Sequence, residues 1–249
     1  MLEIITKKAK GQAKGSIVFV HGAWHGAWCW QDNFLLYFAA QGYDCYAPSL
    51  RGHGKSDSNK NLKWLTIADY AADVLSVVKD LKGDVFIMGH SMGGYVVQKF
   101  LEDNGHLIKK GILIASVPSS GAKIKPLEII KAIGFSSFFK MNLMLDLVYC
   151  VNTIQKVRNI FFNPNTPDNI VNATASKVQG ESFFAYLGML NKWLIKPKKI
   201  TTPLLIVSAG KDWFFPPDEQ TELVKTYKAP QKMYPDAPHN LFATEGCKK

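Results

Sequence analysis

Apolar and polar residues follow two rhythms along this chain, and the rhythms take turns. Ser16-Ile17-Val18-Phe19-Val20 is apolar almost throughout, as a strand covered on both faces requires. Trp28 to Gln41 has helical spacing and stops at Gly42. Tyr43 to Ala47 is a second strand ended by Pro48. Ile67, Tyr70, Ala71, Val74, Val78 and Leu81 keep the 3.6-residue period, so Thr66 to Leu81 is an amphipathic helix started by Thr66 and Asp69. Asp84 to Met88 is again a short apolar strand, and Gly94 to Glu102 again helical. Gly111 to Ala115 and Leu204 to Ser208 complete the run of buried strands, with Gln231 to Tyr234 a shorter one. Strands alternating with helices predict a mostly parallel, doubly wound α/β sheet flanked by helices.

The alternation breaks after Pro118. Residues 119–199 are helical, irregular and aromatic, with Phe135, Phe161, Phe162, Phe183, Phe184 and Trp193 among them. An insertion of this size between two sheet strands is expected to be a helical cap, and 1–118 with 200–249 the core.

Composition changes little in this picture. The hydrophobic share of 47% and charged share of 20% suit an ordinary globular chain. No stretch of eighteen or more apolar residues predicts a membrane span, and the N-terminus lacks the apolar core of a secretory signal. The net charge of +10 is nearly all lysine, dispersed, with Arg51 and Arg158 the arginines. That is a solvated surface rather than a nucleic-acid reader, which favours arginine. Cys29, Cys45, Cys150 and Cys247 share no metal or redox spacing and fit a reducing cytoplasm.

The candidate chemistry starts at Gly89-His90-Ser91-Met92-Gly93, a G-x-S-x-G pattern between a strand and a helix. That context is a nucleophile elbow, whose turn is too sharp to tolerate side chains beside the serine. A serine hydroxyl needs a base, and the base needs an orienting carboxylate. His106 ends the elbow helix, too near to swing back, which leaves His239 as the base. Asp212 follows the Leu204 to Ser208 strand and is the expected acid, with Asp236 and Asp218 as competitors. Backbone N–H groups of Met92 and of Ala23, in the loop His21 to Trp28, are the expected oxyanion donors. His21 and His25 are four apart, but the glycines between them argue against a helix and no third ligand is near, so no metal is expected. Arg51 to Asp57 is glycine-rich without the spacing of a phosphate loop and is expected to be a structural turn.

With His21-Gly22, Arg51-Gly52-His53-Gly54-Lys55-Ser56, Gly89 to Gly94, Asp212 and His239 in this order, the chain resembles the α/β-hydrolase superfamily. Its His21 to Trp28 loop is similar to that of plant methylesterases, hydroxynitrile lyases and bacterial carboxylesterases. The resemblance implies a serine carboxylesterase that needs no cofactor, with Ala23 and Met92 at the oxyanion. Ser91 departs from the elbow aspartate of dehalogenases and epoxide hydrolases, and Asn240 from the lysine of the lyases. The expected partner is a small to medium ester with an apolar acyl or aryl group, touched by Trp24, Phe162, Phe184 and Phe214. Perhydrolysis, lactone or C–C hydrolysis, and a ligand receptor are the alternatives. Neither nucleic acid nor stable membrane insertion is expected, and a homodimer is left open. The resemblance also implies a closing helix after the histidine; only ten residues follow His239, so that helix is expected to be short or missing.

Overall fold

The computed structural model describes residues 1–58 and 61–243. One seven-stranded sheet runs through it in the order β1-β3-β2-β4-β5-β6-β7. The strands are β1 (Ile4–Lys7), β2 (Ser16–Val20), β3 (Asp44–Pro48), β4 (Val85–His90), β5 (Lys110–Ile114), β6 (Leu204–Ala209) and β7 (Gln231–Tyr234). All neighbours pair in parallel except β1, which runs antiparallel against β3 with Ile4 opposite Pro48. This edge strand is not among the sequence expectations. It is four residues long and mostly exposed, so no apolar alternation marks it.

The expected helix from Trp28 to Gln41 is one helical run broken into three: α1 (Trp28–Trp30), a π turn (Gln31–Leu35) and α2 (Leu36–Ala40). Periodicity over so short a stretch does not separate a π turn from α-helix. Then come α3 (Ile67–Val78) and α4 (Met92–Asn104). Thr66 caps α3 as a capping box with Asp69. Helix α4 begins directly after Ser91, two residues earlier than its apolar pattern suggests.

Two apolar layers sandwich the sheet. Ile17, Phe19, Trp30, Leu35 and Phe242 fill one face, and Val18, Val20, Ile87, Tyr70 and Tyr95 the other. Each fully buried large apolar side chain contributes roughly 1.5–3 kcal/mol relative to exposure. Between β5 and β6 lie α5 (Pro126–Ile133), α6 (Phe135–Met144), α7 (Ile154–Phe161), α8 (Asp168–Ala175) and α9 (Phe183–Met189). Their apolar faces join the second of those cores rather than forming one of their own. Helix α10 (Pro217–Tyr227) follows β6 and returns the chain to β7. Among the described residues no helix is long and apolar enough to cross a membrane. The question of a closing helix falls on residues 244–249, outside the described residues.

Candidate active site

The carboxyl ends of β2, β4 and β6 converge on one place, and each delivers a loop there. At the end of β4, Ser91 takes φ 54° and ψ −122°. That backbone is strained for a residue with a side chain, by about 1–3 kcal/mol, and persists only where neighbours impose it. Here they do. The Ser91 N–H donates to the Ile114 carbonyl at 2.9 Å, and its carbonyl accepts from Gly94 at 3.0 Å. Glycine is obligatory around it: a Cβ on Gly89 would stand 2.4 Å from the Gly93 carbonyl oxygen, and one on Gly93 2.3 Å from that of Val20.

The loop after β7 brings His239 to the serine. Ser91 Oγ donates to His239 Nε2 at 2.9 Å, and His239 Nδ1 donates to Asp212 Oδ2 at 2.7 Å. Asp212, past the end of β6, accepts with its other oxygen from the Phe214 and Phe215 N–H groups at 2.9 and 3.2 Å. Its carboxylate is thus fixed from the far side, and it aims at the imidazole. All three side chains are buried, Ser91 the most open at 8%. The competitors lie elsewhere. Asp236 is exposed and paired with Lys211, and Asp218 sits in the first turn of α10.

Met92 follows Ser91 directly in the chain, and Ala23 lines the same pocket as the serine. The Met92 N–H opens α4, where no intrahelical acceptor exists. Among the described residues neither this N–H nor that of Ala23 has a hydrogen-bond acceptor. Gly22 sits against the serine: a Cβ there would be 3.0 Å from that of Ser91.

Histidines brace this floor. His90 Nε2 donates to the His239 carbonyl at 3.0 Å, and His25 Nδ1 to the Ala23 carbonyl at 2.7 Å. His25 Nε2 accepts from Asn240 Nδ2 at 3.0 Å, tying the loop after β2 to the loop after β7. His21 Nε2 accepts from the Leu50 N–H at 3.0 Å. Burial drives the pKa of His21, His90 and His25 down, that of His25 to about 4. These three stay neutral in the fold, whereas an unfolded chain takes up protons below about pH 6.5. Depressed folded values make stability fall as pH falls through that point. Urea unfolding should therefore lose about 1 kcal/mol per histidine between pH 7 and 5.5. An unchanged free energy over that window would contradict the burial of three neutral imidazoles.

His53, in the glycine-rich turn, differs. Burial lowers its pKa, but the adjoining Glu181 carboxylate more than offsets this, and the net direction is up. Burial likewise raises Glu181, and His53, with the Ser182 N–H and the Tyr70 hydroxyl as further donors, brings it below its usual value. The two form a fully buried ion pair at 3.0 Å.

A narrow apolar cavity opens on Ser91. Trp24, Trp213, Phe214 and Phe215 line one side, and Ile129, Ile133, Met141 and Met189 of the inserted helices another. Trp24 and Phe214 are therefore where substrate contact was expected, but Phe162 and Phe184 are not among its lining residues. Helix α7 ends at Phe161, and Phe162 is extended, so its side chain leaves the helical face. Phe161 instead packs against Trp24, His25 and His239. Phe184 packs its ring at a tilt on Trp64, centroids 4.8 Å apart, while Tyr186 and Met189 on another face of α9 turn to the cavity. Sequence reasoning also missed Trp213, Phe215 and Glu181. Trp213 and Phe215 had a signal, since they flank Phe214 directly after Asp212.

A parallel sheet with one antiparallel edge, a Ser91 elbow after β4 and helices inserted before β6 define an α/β-hydrolase. The chain belongs to the serine aminopeptidase S33 family, whose profile matches residues 11–245. It is similar to a pheophorbidase of Raphanus sativus, 26% identical over 253 residues, which covers 94% of this chain and 91% of that protein. It is also 38% identical over 106 residues to a non-heme chloroperoxidase of Streptomyces lividans, covering 41% of this chain and 37% of that one. This match thus spans little more than a third of the Streptomyces protein. An esterase from Exiguobacterium antarcticum has the same fold, with a TM-score of 0.77 at 20% identity over 99% of this chain and 91% of that one. Plant methylesterases are among the other relatives.

Proposed function

We propose that the protein hydrolyses carboxylic esters with apolar acyl groups through an acyl-enzyme on Ser91. Relatives named as esterases and methylesterases support a hydrolase of the carboxylesterase type. The observation that carries the reading is the linear relay from Ser91 Oγ through His239 to Asp212, at 2.9 and 2.7 Å, at the mouth of an apolar cavity. In this reading Ser91 attacks the ester carbonyl while His239 Nε2 takes the hydroxyl proton. The negative oxygen of the tetrahedral intermediate accepts from the Ala23 and Met92 N–H groups. The intermediate collapses, the alcohol leaves with the proton from His239, and water repeats the sequence on the acyl-enzyme. Asp212 keeps Nδ1 protonated and stabilises the imidazolium.

The family description speaks of an aminopeptidase, and the cavity argues for a different substrate here. No charged side chain is among its lining residues. An α-ammonium group entering it would shed water without gaining a counter-ion, which is strongly unfavourable. An uncharged acyl chain loses nothing there. A second reading, with hydrogen peroxide replacing water as acyl acceptor, draws on the likeness to the chloroperoxidase.

A series of p-nitrophenyl esters from acetate to decanoate, with alanine p-nitroanilide beside it, tests this. Esters of medium chain length should turn over and the anilide should not. Anilide cleavage exceeding ester cleavage would overturn the reading. The same series checks the inserted helices as a lid that measures the acyl chain. Ile133→Phe adds a ring to the cavity wall and should raise KM for the long esters about tenfold or more, with acetate kcat kept, since apolar contacts discriminate by about 1–3 kcal/mol per methylene. Equal effects on acetate and decanoate would mean that the chain does not reach α5.

A further inference from the structure

Glu181 precedes α9 and is 1% exposed. It is absent from the cavity lining and touches neither Ser91 nor His239, yet it has more polar contacts than any role described so far requires. Its Oε1 accepts from Tyr70 Oη at 2.8 Å and from the Ser182 N–H at 2.6 Å. Its Oε2 accepts from His53 Nε2 at 3.0 Å and from the Trp24 N–H at 3.2 Å. The last of these contacts reaches the site. The Trp24 N–H shares a rigid peptide plane with the Ala23 carbonyl, and that carbonyl accepts from His25 at 2.7 Å. The plane is thus held at both ends, by a carboxylate from the inserted segment and by an imidazole from the core.

The grip matters because the loop would not keep this shape alone. Trp24 has φ 63°, a left-handed backbone that a residue with a bulky side chain avoids. Two further contacts from the inserted segment clamp the same residue. The Gln179 N–H donates to its carbonyl at 3.1 Å, and its indole N–H donates to the Leu147 carbonyl at 3.0 Å. The Ala23 N–H lies at the other side of the Ala23 α-carbon, so a tilt of the Ala23–Trp24 plane turns it as well. A hydrogen bond to an ionised acceptor is about twice as strong as a neutral one.

We infer that Glu181 is a positioning residue: it holds the Ala23–Trp24 peptide so that the Ala23 N–H meets the developing oxyanion, while His53, on the same carboxylate oxygen, holds Glu181. This gives the Arg51 to Asp57 turn a task, since His53 is the counter-charge that keeps the carboxylate ionised. The inference rests on the hydrolase reading above.

Glu181→Gln tests it. The amide keeps the shape, but placed where Oε2 was it turns a donor toward the Trp24 N–H, while a neutral His53 can accept from it. On p-nitrophenyl butyrate, kcat should fall about 10- to 100-fold with KM within threefold. This is less than the 10²–10³ for deleting an oxyanion donor outright, because the N–H remains. Affinity for a trifluoromethyl ketone, whose adduct carries the oxyanion, should fall by the same factor as kcat/KM. Tyr70→Phe removes a contact to Glu181 that does not pass through Trp24, and should leave kcat within threefold. Glu181→Asp, which keeps the charge and withdraws the carboxylate by one methylene, carries the test if the Gln variant does not fold. A folded Gln or Asp variant with kcat within threefold of the unaltered protein would overturn the inference, as would equal losses in Tyr70→Phe. Hydrogen exchange at residues 22–25 decides the positional claim without turnover: Glu181→Gln should speed exchange there, and unchanged protection would overturn it. Failure of the unaltered protein to turn over any ester would count against the hydrolase reading alone.

Discussion

Ser91→Ala should leave a folded protein whose ester turnover is lower by about 10⁴–10⁶-fold. The size follows from the site's division of labour. Without the hydroxyl there is no acyl-enzyme, and what remains is the oxyanion pair and the bound substrate, which still speed attack by water. The fold should survive because the strain at position 91 is held by backbone contacts to Ile114 and Gly94, and alanine keeps these. Steady-state kinetics beside a thermal melt checks both halves. Activity within tenfold of the unaltered protein, in a preparation free of host esterase, would remove Ser91 from the mechanism.

Asp212→Asn should lower kcat by about 10⁴, nearly as much, without moving the imidazole. Asp212 Oδ1 accepts from two backbone N–H groups, so the amide must present its oxygen there and its NH₂ to His239. The imidazole then carries its proton on Nε2 and cannot accept from Ser91. Asp236→Asn is the contrast. That carboxylate is exposed beside Lys211, where an ion pair contributes about 0–1 kcal/mol at most, and its loss should change kcat by less than threefold. Measuring kcat for the two variants on one ester decides between the loops. A larger loss at Asp236 would transfer the acid to that position.

The residues that meet at Ser91 were legible because each obeys a local steric rule. Gly89 and Gly93 have no room for a Cβ, and such a turn between an apolar strand and a helix leaves a pattern that any reader of the chain can see. Asp212 and His239 follow from the order in which a parallel sheet delivers loops to one end. The inserted helices were not legible in this way. Phe162 and Met141 are both apolar and both buried, and only the three-dimensional path separates core from cavity wall. Helical phase could have set Tyr186 and Met189 apart from Phe184, had the bounds of α9 been known. Glu181 left no trace at all, because its partners His53 and Tyr70 lie 128 and 111 residues away and a carboxylate in a helical segment normally faces water. The edge strand β1 and the π turn after Trp30 escaped for a simpler reason: each is too short to establish a period.

Everything proposed for this site turns on acylation of Ser91. The most direct measurement is the intact mass of the protein after reaction with a fluorophosphonate, followed by mapping of the modified peptide. One phosphonyl group per chain on Ser91 is the predicted result, slowed strongly in a His239→Ala variant that lacks the base. No adduct under conditions that fully label a known serine esterase, or an adduct on any other residue, would rule out Ser91 as the nucleophile.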